Sequence, residues 1–214
     1  MKKALLVDDH AFLRDALSML MAREFPSLTL VQAGSLAQAR QVLQDHADVQ
    51  LVLLDLALPD GHGLELLPQL RDATAAMLIV MSADDSSETI LAAIQAGAAG
   101  YIPKTLESAH MLAALRVVMS GGVYLPPNLL ASTGRPAPGA RDPADLGLSP
   151  RQGEVLRLLI EGKPNKLISR QLEMSESTVK THLAAIFRKL EATSRTQAVV
   201  AAARLGLRLV PEES

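Results

Sequence analysis

The chain has 214 residues, 49% hydrophobic but only 2% aromatic, so a core of Leu, Val, Ile, Ala and Met is expected and global disorder is not. It has no Cys, which excludes disulfides and thiolate metal sites. The net charge of −2 hides an asymmetry: residues 1–125 hold eight Lys and Arg against fourteen Asp and Glu (−6), and residues 148–210 hold eleven against five (+6). An acidic front and a basic back predict different partners, with nucleic acid a candidate for the basic half.

The N-terminal Met1-Lys2-Lys3 leads into four apolar residues, too few for a signal peptide. No run approaches the roughly 18 apolar residues that span a bilayer. A cytoplasmic protein without a membrane partner is expected. Strands are predicted at residues 4–7, 29–33, 51–54, 78–81 and 100–102. Each is almost continuously apolar, the pattern of a parallel strand covered on both faces. Helices are predicted between and after them, at 11–23, 36–46, 64–71, 88–96 and 107–119. In the first, Phe12, Ala16, Met19, Leu20 and Arg23 recur at helical spacing. Ser35 and Ser86 are candidate N-caps. Pro68 should kink or shorten the third helix. The alternation predicts an α/β domain with a doubly wound, five-stranded parallel sheet, whose ligands bind at the carboxyl ends of the strands.

From Ser132 to Gly147 the sequence turns rich in Pro and Gly and loses apolar periodicity, the composition of a linker. Four further helices are predicted at 150–160, 165–172, 176–190 and 195–205, making a second, smaller all-α domain. The expected division is 1–125, a linker over 126–147, and 148–214.

The polar residues at the predicted strand ends form one constellation. Asp8 and Asp9 follow the first strand, Asp55 the third, Ser82 the fourth and Lys104 the fifth. Taken singly, each is an ordinary turn or capping residue. Together they would converge on one crevice. Three carboxylates there would repel one another, and a hard cation such as Mg²⁺ relieves that repulsion. Asp55 is then a candidate nucleophile toward phosphorus, with charge stabilisation from Mg²⁺ and Lys104 and a hydrogen bond from Ser82.

Several motifs carry a resemblance: Leu6-Val7-Asp8-Asp9-His10, the run from Leu53 to Gly61, Met81-Ser82-Ala83, and the run from Ala96 to Lys104. Residues 3–122 resemble a receiver domain of bacterial two-component systems, a flavodoxin-like fold. The resemblance implies Asp55 as phosphoacceptor. It implies Asp8 and Asp9 as the acidic Mg²⁺ pair and the Ala57 carbonyl as a further metal contact. Ser82 and Tyr101 would be a switch pair whose aromatic ring turns inward. By residue type alone, Tyr101 reads as a half-buried ring on an edge strand. His62 departs from the pattern, standing where many relatives carry an acid.

In the basic half, Ser149 and Pro150 suit the N-cap and first position of a helix. Glu173-Met174-Ser175 reads as a turn between two helices. On the second of these, Val179, Leu183, Ile186, Phe187 and Leu190 form an apolar stripe. Lys180, Thr181, Ala184, Arg188 and Lys189 occupy the other face. A helix-turn-helix and a solvated helical bundle both fit this pattern. Leu148-Ser149-Pro150-Arg151, Asn165-Lys166, Ser175–His182 and Arg188-Lys189-Leu190 separate them, because residues 148–205 resemble the LuxR-type helix-turn-helix of NarL/FixJ regulators. Carried over, Lys180 and Thr181 would reach base edges. Lys166, Thr178, Arg188 and Lys189 would hold phosphates or the helix scaffold. Ala184 would touch an apolar base edge, and His182 would read DNA or pack. Leu167 departs from the acid often found after the Asn-Lys pair. Thr196, Val199, Val200 and Ala203 resemble the family's dimer contact.

The implied function is a response regulator: a sensor histidine kinase phosphorylates Asp55, which switches binding to double-stranded promoter DNA and transcription. A homodimer of the phosphorylated form and contact with RNA polymerase are further implications. No enzyme activity is expected beyond the chain's own Mg²⁺-dependent phosphorylation and dephosphorylation. Two alternatives stay open on the residues alone. A haloacid-dehalogenase-like phosphohydrolase would also form an aspartyl phosphate, but its Asp-x-Asp motif is absent after the first strand. The other is a regulator driven by protein contacts or a small ligand without phosphorylation.

Overall fold

A computed structural model describes residues 2–127, 129 and 142–207. Residues 128 and 130–141 of the expected linker lie outside the described residues. Contacts divide the chain into two compact units, Met1–Ala113 and Ala114–Ser214.

The first unit is built on β1 (Lys2–Val7), β2 (Leu28–Ala33), β3 (Val49–Asp55), β6 (Met77–Ser82) and β7 (Gly100–Pro103). These strands pair in the order β2-β1-β3-β6-β7, all parallel. The apolar runs of four strands are buried, Ala4 to Val7, Leu51 to Leu54, Leu78 to Met81, and Tyr101 with Ile102, whereas β2, at a sheet edge, buries only Ala33 and is not covered on both faces as its sequence suggested. Helices α1 (Ala11–Glu24), α2 (Leu36–Asp45), α3 (Gly63–Ala73), α4 (Ser87–Gln95) and α5 (Ser108–Met119) connect and follow the strands. The division between units falls inside α5. Ser35 and Ser86 cap as expected, accepting from the amides of Gln38 and Thr89.

Chain direction across the sheet reverses between β1 and β3, which lie side by side. In such folds the crevice outside that reversal receives ligands. Asp8 follows β1 and Asp55 ends β3, so the topology brings both carboxylates there. A small antiparallel hairpin, β4 (Ala57–Leu58) with β5 (Gly61–His62), sits directly beyond Asp55. The apolar-run signal does not reveal it, because neither of its two-residue strands has a buried face.

Two features of the helices go beyond what the sequence settled. The α1 stripe starting at Phe12 faces outward, with Phe12 87% and Met19 76% exposed, while Leu17 and Met21 are buried. Nearly every face of α1 carries an apolar residue, so the helical spacing locates the helix without selecting its buried side. Pro68 does not shorten α3, which continues to Ala73. A proline inside a helix costs about 3 kcal/mol. Leu66, Leu67 and Leu70 on the same helix are buried, and at about 1.5–3 kcal/mol each they outweigh it.

In the second unit a 3₁₀ turn (Pro143–Leu146) begins within the segment read as linker, capped by Asp142. It is followed by α6 (Pro150–Ile160), α7 (Asn165–Gln171), α8 (Glu176–Lys189) and α9 (Arg195–Arg204). Ser149 and Gln152 form a reciprocal capping box on α6. Ser175 caps α8. Helices α6 and α7 both pack on α8. The buried stripe there is Val179, Leu183, Ile186 and Leu190. Thr196, Val199 and Val200, read as a dimer contact, are buried in the single chain. An apolar side of α9 looks alike whether it meets a partner or its own core.

Candidate functional site

Asp8 and Asp55 are 1% and 2% exposed, an unusual degree of burial for carboxylates. Lys104 resolves it. Its Nζ lies 2.7 Å from Oδ2 of Asp8 and 2.7 Å from Oδ2 of Asp55. Burial alone would lower the Lys104 pKa. Hydrogen bonds and charge from Asp55 and Asp8 prevail and hold it above the ordinary lysine value. Register positions this lysine, since Ser82 pairs with Pro103 and the Lys104 amide donates to the Ser82 carbonyl at 2.8 Å.

The sequence-predicted residues are therefore gathered in one place. Asp9 is more open than Asp8 and meets Nδ1 of His10 at 2.7 Å. The Ala57 amide donates to Oδ1 of Asp55 at 3.3 Å, which ties the hairpin to that carboxylate. Ser82 is buried, and its Oγ accepts from the Asp84 amide at 3.2 Å. Tyr101 is fully buried rather than half-buried, and its hydroxyl donates to the Asp84 carbonyl. Burial raises the Tyr101 pKa, reinforced by Asp84, Asp85 and Asp55. A cavity of about 570 Å³ is lined by Asp55, Ala57, His62, Ser82 and Lys104, among others.

Ligand atoms of Asp8, Asp9, His10 and Asp55 all lie within 4.8 Å of one another. Oδ2 of Asp8 is buried, and its partner is the Lys104 ammonium at 2.7 Å. A cluster of three carboxylates offering oxygen ligands this close together fits a hard divalent cation.

In the second unit Lys166, Thr178, Lys180, Thr181, Ala184, Arg188 and Lys189 are exposed and His182 is half-buried. These residues divide by partner. Thr178 Oγ1 lies 2.8 Å from Oγ of the capping Ser175. Thr181 Oγ1 donates to the Ser177 carbonyl at 3.1 Å. Lys189 donates to the Gly147 carbonyl, a scaffold contact. Lys180 makes no hydrogen bond or ion pair among the described residues.

Sequence reasoning missed three supporting residues. Arg14 donates to the Asp8 carbonyl at 2.6 Å. Asp60 accepts from the amides of Leu36 and Ala37 at 2.8 and 2.9 Å, tying the hairpin to the start of α2. These bonds hold the Asp60 pKa below the ordinary carboxylate value. Arg195 bonds to Asn165 and Lys163. Only Asp60 left a signal, an Asp before Gly, and it reads as a turn.

Comparison with known proteins matches residues 4–116 to the response regulator receiver domain and residues 146–202 to bacterial regulatory proteins of the luxR family. The chain is 35% identical over 212 residues to the glycerol metabolism activator of Pseudomonas putida, covering 94% of this chain and 95% of that one. It is also 35% identical over 201 residues to the nitrate/nitrite response regulator protein NarL of Escherichia coli K12, covering 92% of each. Among solved structures, a LuxR-family two-component response regulator from Aurantimonas sp. SI85-9A1 aligns with a TM-score of 0.54 at 26% identity, over 60% of this chain and 92% of its own. No helix among the described residues is long and apolar enough to cross a membrane. With a parallel-sheet receiver followed by a helical DNA-binding unit, and with full-length relatives that are transcription regulators, the chain belongs to the NarL/FixJ-type response regulators of two-component systems.

Proposed function

We propose that a sensor histidine kinase phosphorylates this chain on Asp55, and that the phosphoryl group switches promoter binding by the helix-turn-helix. The observation that carries this reading is the double contact of Lys104 Nζ, 2.7 Å from a carboxylate oxygen of both Asp55 and Asp8, beside an open cavity. A carboxylate oxygen of Asp55 attacks the phosphorus of a phosphohistidine. The P–N bond breaks, the imidazole leaves, and an acyl phosphate forms. Lys104, kept protonated by its neighbours, then neutralises a phosphoryl oxygen. The Ser82 hydroxyl donates to another. Ser82 and Tyr101 act as the switch pair.

Asp8, Asp9, Asp55 and the Ala57 carbonyl hold Mg²⁺, which when bound supplies charge neutralisation at the transferring phosphoryl group. Catalysis by the chain is limited to its own phosphorylation and dephosphorylation. The receiver spans 1–125, a linker 126–147, and the DNA-binding domain 148–214. Lys180 and Thr181 read base edges and Ala184 an apolar edge. Lys166, Thr178, His182, Arg188 and Lys189 hold phosphates or the scaffold. The phosphorylated form works as a homodimer in the cytoplasm, on double-stranded DNA and alongside RNA polymerase.

The test is Mg²⁺-dependent labelling by a small acyl phosphate. The wild-type chain takes the label and Asp55→Asn does not. A label retained by Asp55→Asn overturns the assignment. Selecting duplexes from a random pool, with and without the donor, reads the coupling to DNA.

A further inference from the structure

Arg195 is a cation whose hydrogen bonds all go to neutral groups. Nη1 donates to Oδ1 of Asn165 at 2.8 Å, Nη2 donates to the Lys163 carbonyl, and Nε is buried without a hydrogen-bond partner. No carboxylate pairs with it among the described residues. Burial pushes its pKa down to about 10. Desolvating a charge without an opposite charge nearby is unfavourable, so packing alone does not account for an arginine here.

What the guanidinium holds does account for it. Lys163 to Asn165 form the turn that enters α7. The N-cap position of α7 is Pro164, which makes no side-chain cap, so the helix lacks its usual local anchor. Arg195 provides one from the start of α9. One turn further along, the buried Ser169 hydroxyl donates to the Lys166 carbonyl at 2.9 Å. The backbone around Lys166 is thus held from both sides, while the Lys166 side chain is exposed.

We infer that Arg195 is a positioning residue for DNA binding, fixing the entry to α7 so that Lys166 is presented to a backbone phosphate. This rests on the reading of Lys166 as a phosphate contact. A pre-ordered cation loses less freedom on binding than a mobile one. The forked guanidinium reaches two acceptors at once, which a lysine ammonium on the same stem does not reproduce.

The test is a double-mutant cycle in the full chain on a short mixed-sequence DNA duplex, with dissociation constants measured across a salt series. Arg195→Lys keeps the charge and loses the fork. It should weaken binding about five-fold and reduce the salt slope by about one phosphate. Lys166→Ala should do the same. The two together should be no worse than either alone, because both remove one contact. Additive losses, or an unchanged slope in Arg195→Lys, overturn the inference. An unchanged slope in Lys166→Ala removes the phosphate contact itself and locates the failure in the underlying reading. If Arg195→Lys lowers the melting temperature, Asn165→Ala serves as the second variant, removing one acceptor and leaving Arg195 intact. It should give the same loss of slope, and no loss there counts against the inference.

Discussion

Nζ of Lys104 and Oδ2 of Asp55 lie 2.7 Å apart, joined across 49 positions of sequence. The contact exists because β7 pairs with β6 so that Pro103 lies opposite Ser82 and Lys104 comes directly after it, while Asp55 ends the neighbouring β3. It is also the contact whose removal is most informative. Lys104→Met leaves Asp8 and Asp55 buried and facing each other without a cation. Breaking a buried pair on one side costs about 3–5 kcal/mol, and the open cavity alongside favours the lower end. Thermal melts should show this loss, and Mg²⁺ should restore more stability to the variant than it adds to the wild type. Equal Mg²⁺ effects on the two proteins would argue against a shared cation and lysine site.

The same lysine sets a direction for pH. Lys104 and Tyr101 both titrate above their ordinary values of 10.5 and 10.0. Above those ordinary values the unfolded chain has released protons that the folded chain retains, so stability falls as pH rises. The contribution is complete below about pH 10 and is lost as pH climbs through the raised values. Arg195, whose pKa burial lowers to about 10, acts in the opposite sense over the same range, so the readout is a difference between proteins: Tyr101→Phe should lose less stability than the wild type in denaturant titrations as pH rises above about 10.

The sheet was legible because a parallel strand buried on both faces must be an apolar run, and the site because its side chains sit at the ends of those runs. Asp8, Asp55, Ser82 and Lys104 needed only the strand ends to be located. The residues that hold them did not share this advantage. Arg14 reaches the Asp8 carbonyl and Arg195 the Lys163 carbonyl by side-chain to backbone bonds that leave no local pattern. Helix α1 shows the complementary limit: Phe12 and Leu17 are equally apolar in sequence, yet only Leu17 is buried.

Gly63 places the start of α3 against the backbone at the end of β3. A Cβ at this position would stand 2.5 Å from the Asp55 carbonyl oxygen and 2.9 Å from Cα of Leu56. The two nearest atoms are both backbone, which cannot swing aside as the end of a flexible side chain would. Gly63→Ala should therefore cost about 1–3 kcal/mol. It should also slow labelling of Asp55, since relief requires moving the strand that carries it. A melt and a labelling time course read the two effects separately. Unchanged labelling would show that the strain is absorbed in α3.

On α8, hydrogen-bond partner separates two exposed lysines of equal charge. Lys189 is engaged with the Gly147 carbonyl, whereas Lys180 has no such contact. Lys180→Ala should leave the melting temperature unchanged and cost about 1–3 kcal/mol of site-specific DNA affinity. Lys189→Ala should lower stability by about 1 kcal/mol, the value of one hydrogen bond. Its effect on DNA affinity should be the smaller of the two. Fluorescence anisotropy over several salt concentrations, with a melt of each variant, distinguishes them, and a reversed order would count against Lys180 as a base contact.

Pro68 stands where a proline is expected to kink or shorten a helix, and α3 is not shortened. It sits inside α3, which runs through it to Ala73. Pro68→Ala gives residue 68 an amide that can donate to the Leu64 carbonyl, the bond a proline forfeits. The gain is smaller than the full helix-interior penalty of about 3 kcal/mol, because the proline also restricts the unfolded chain, worth up to about 1 kcal/mol in the opposite sense. A net stabilisation of about 1–2 kcal/mol is expected from denaturant titration. A neutral or destabilising result would mean that the backbone of α3 has already adapted to the ring, so that its carbonyls no longer accept a donor there.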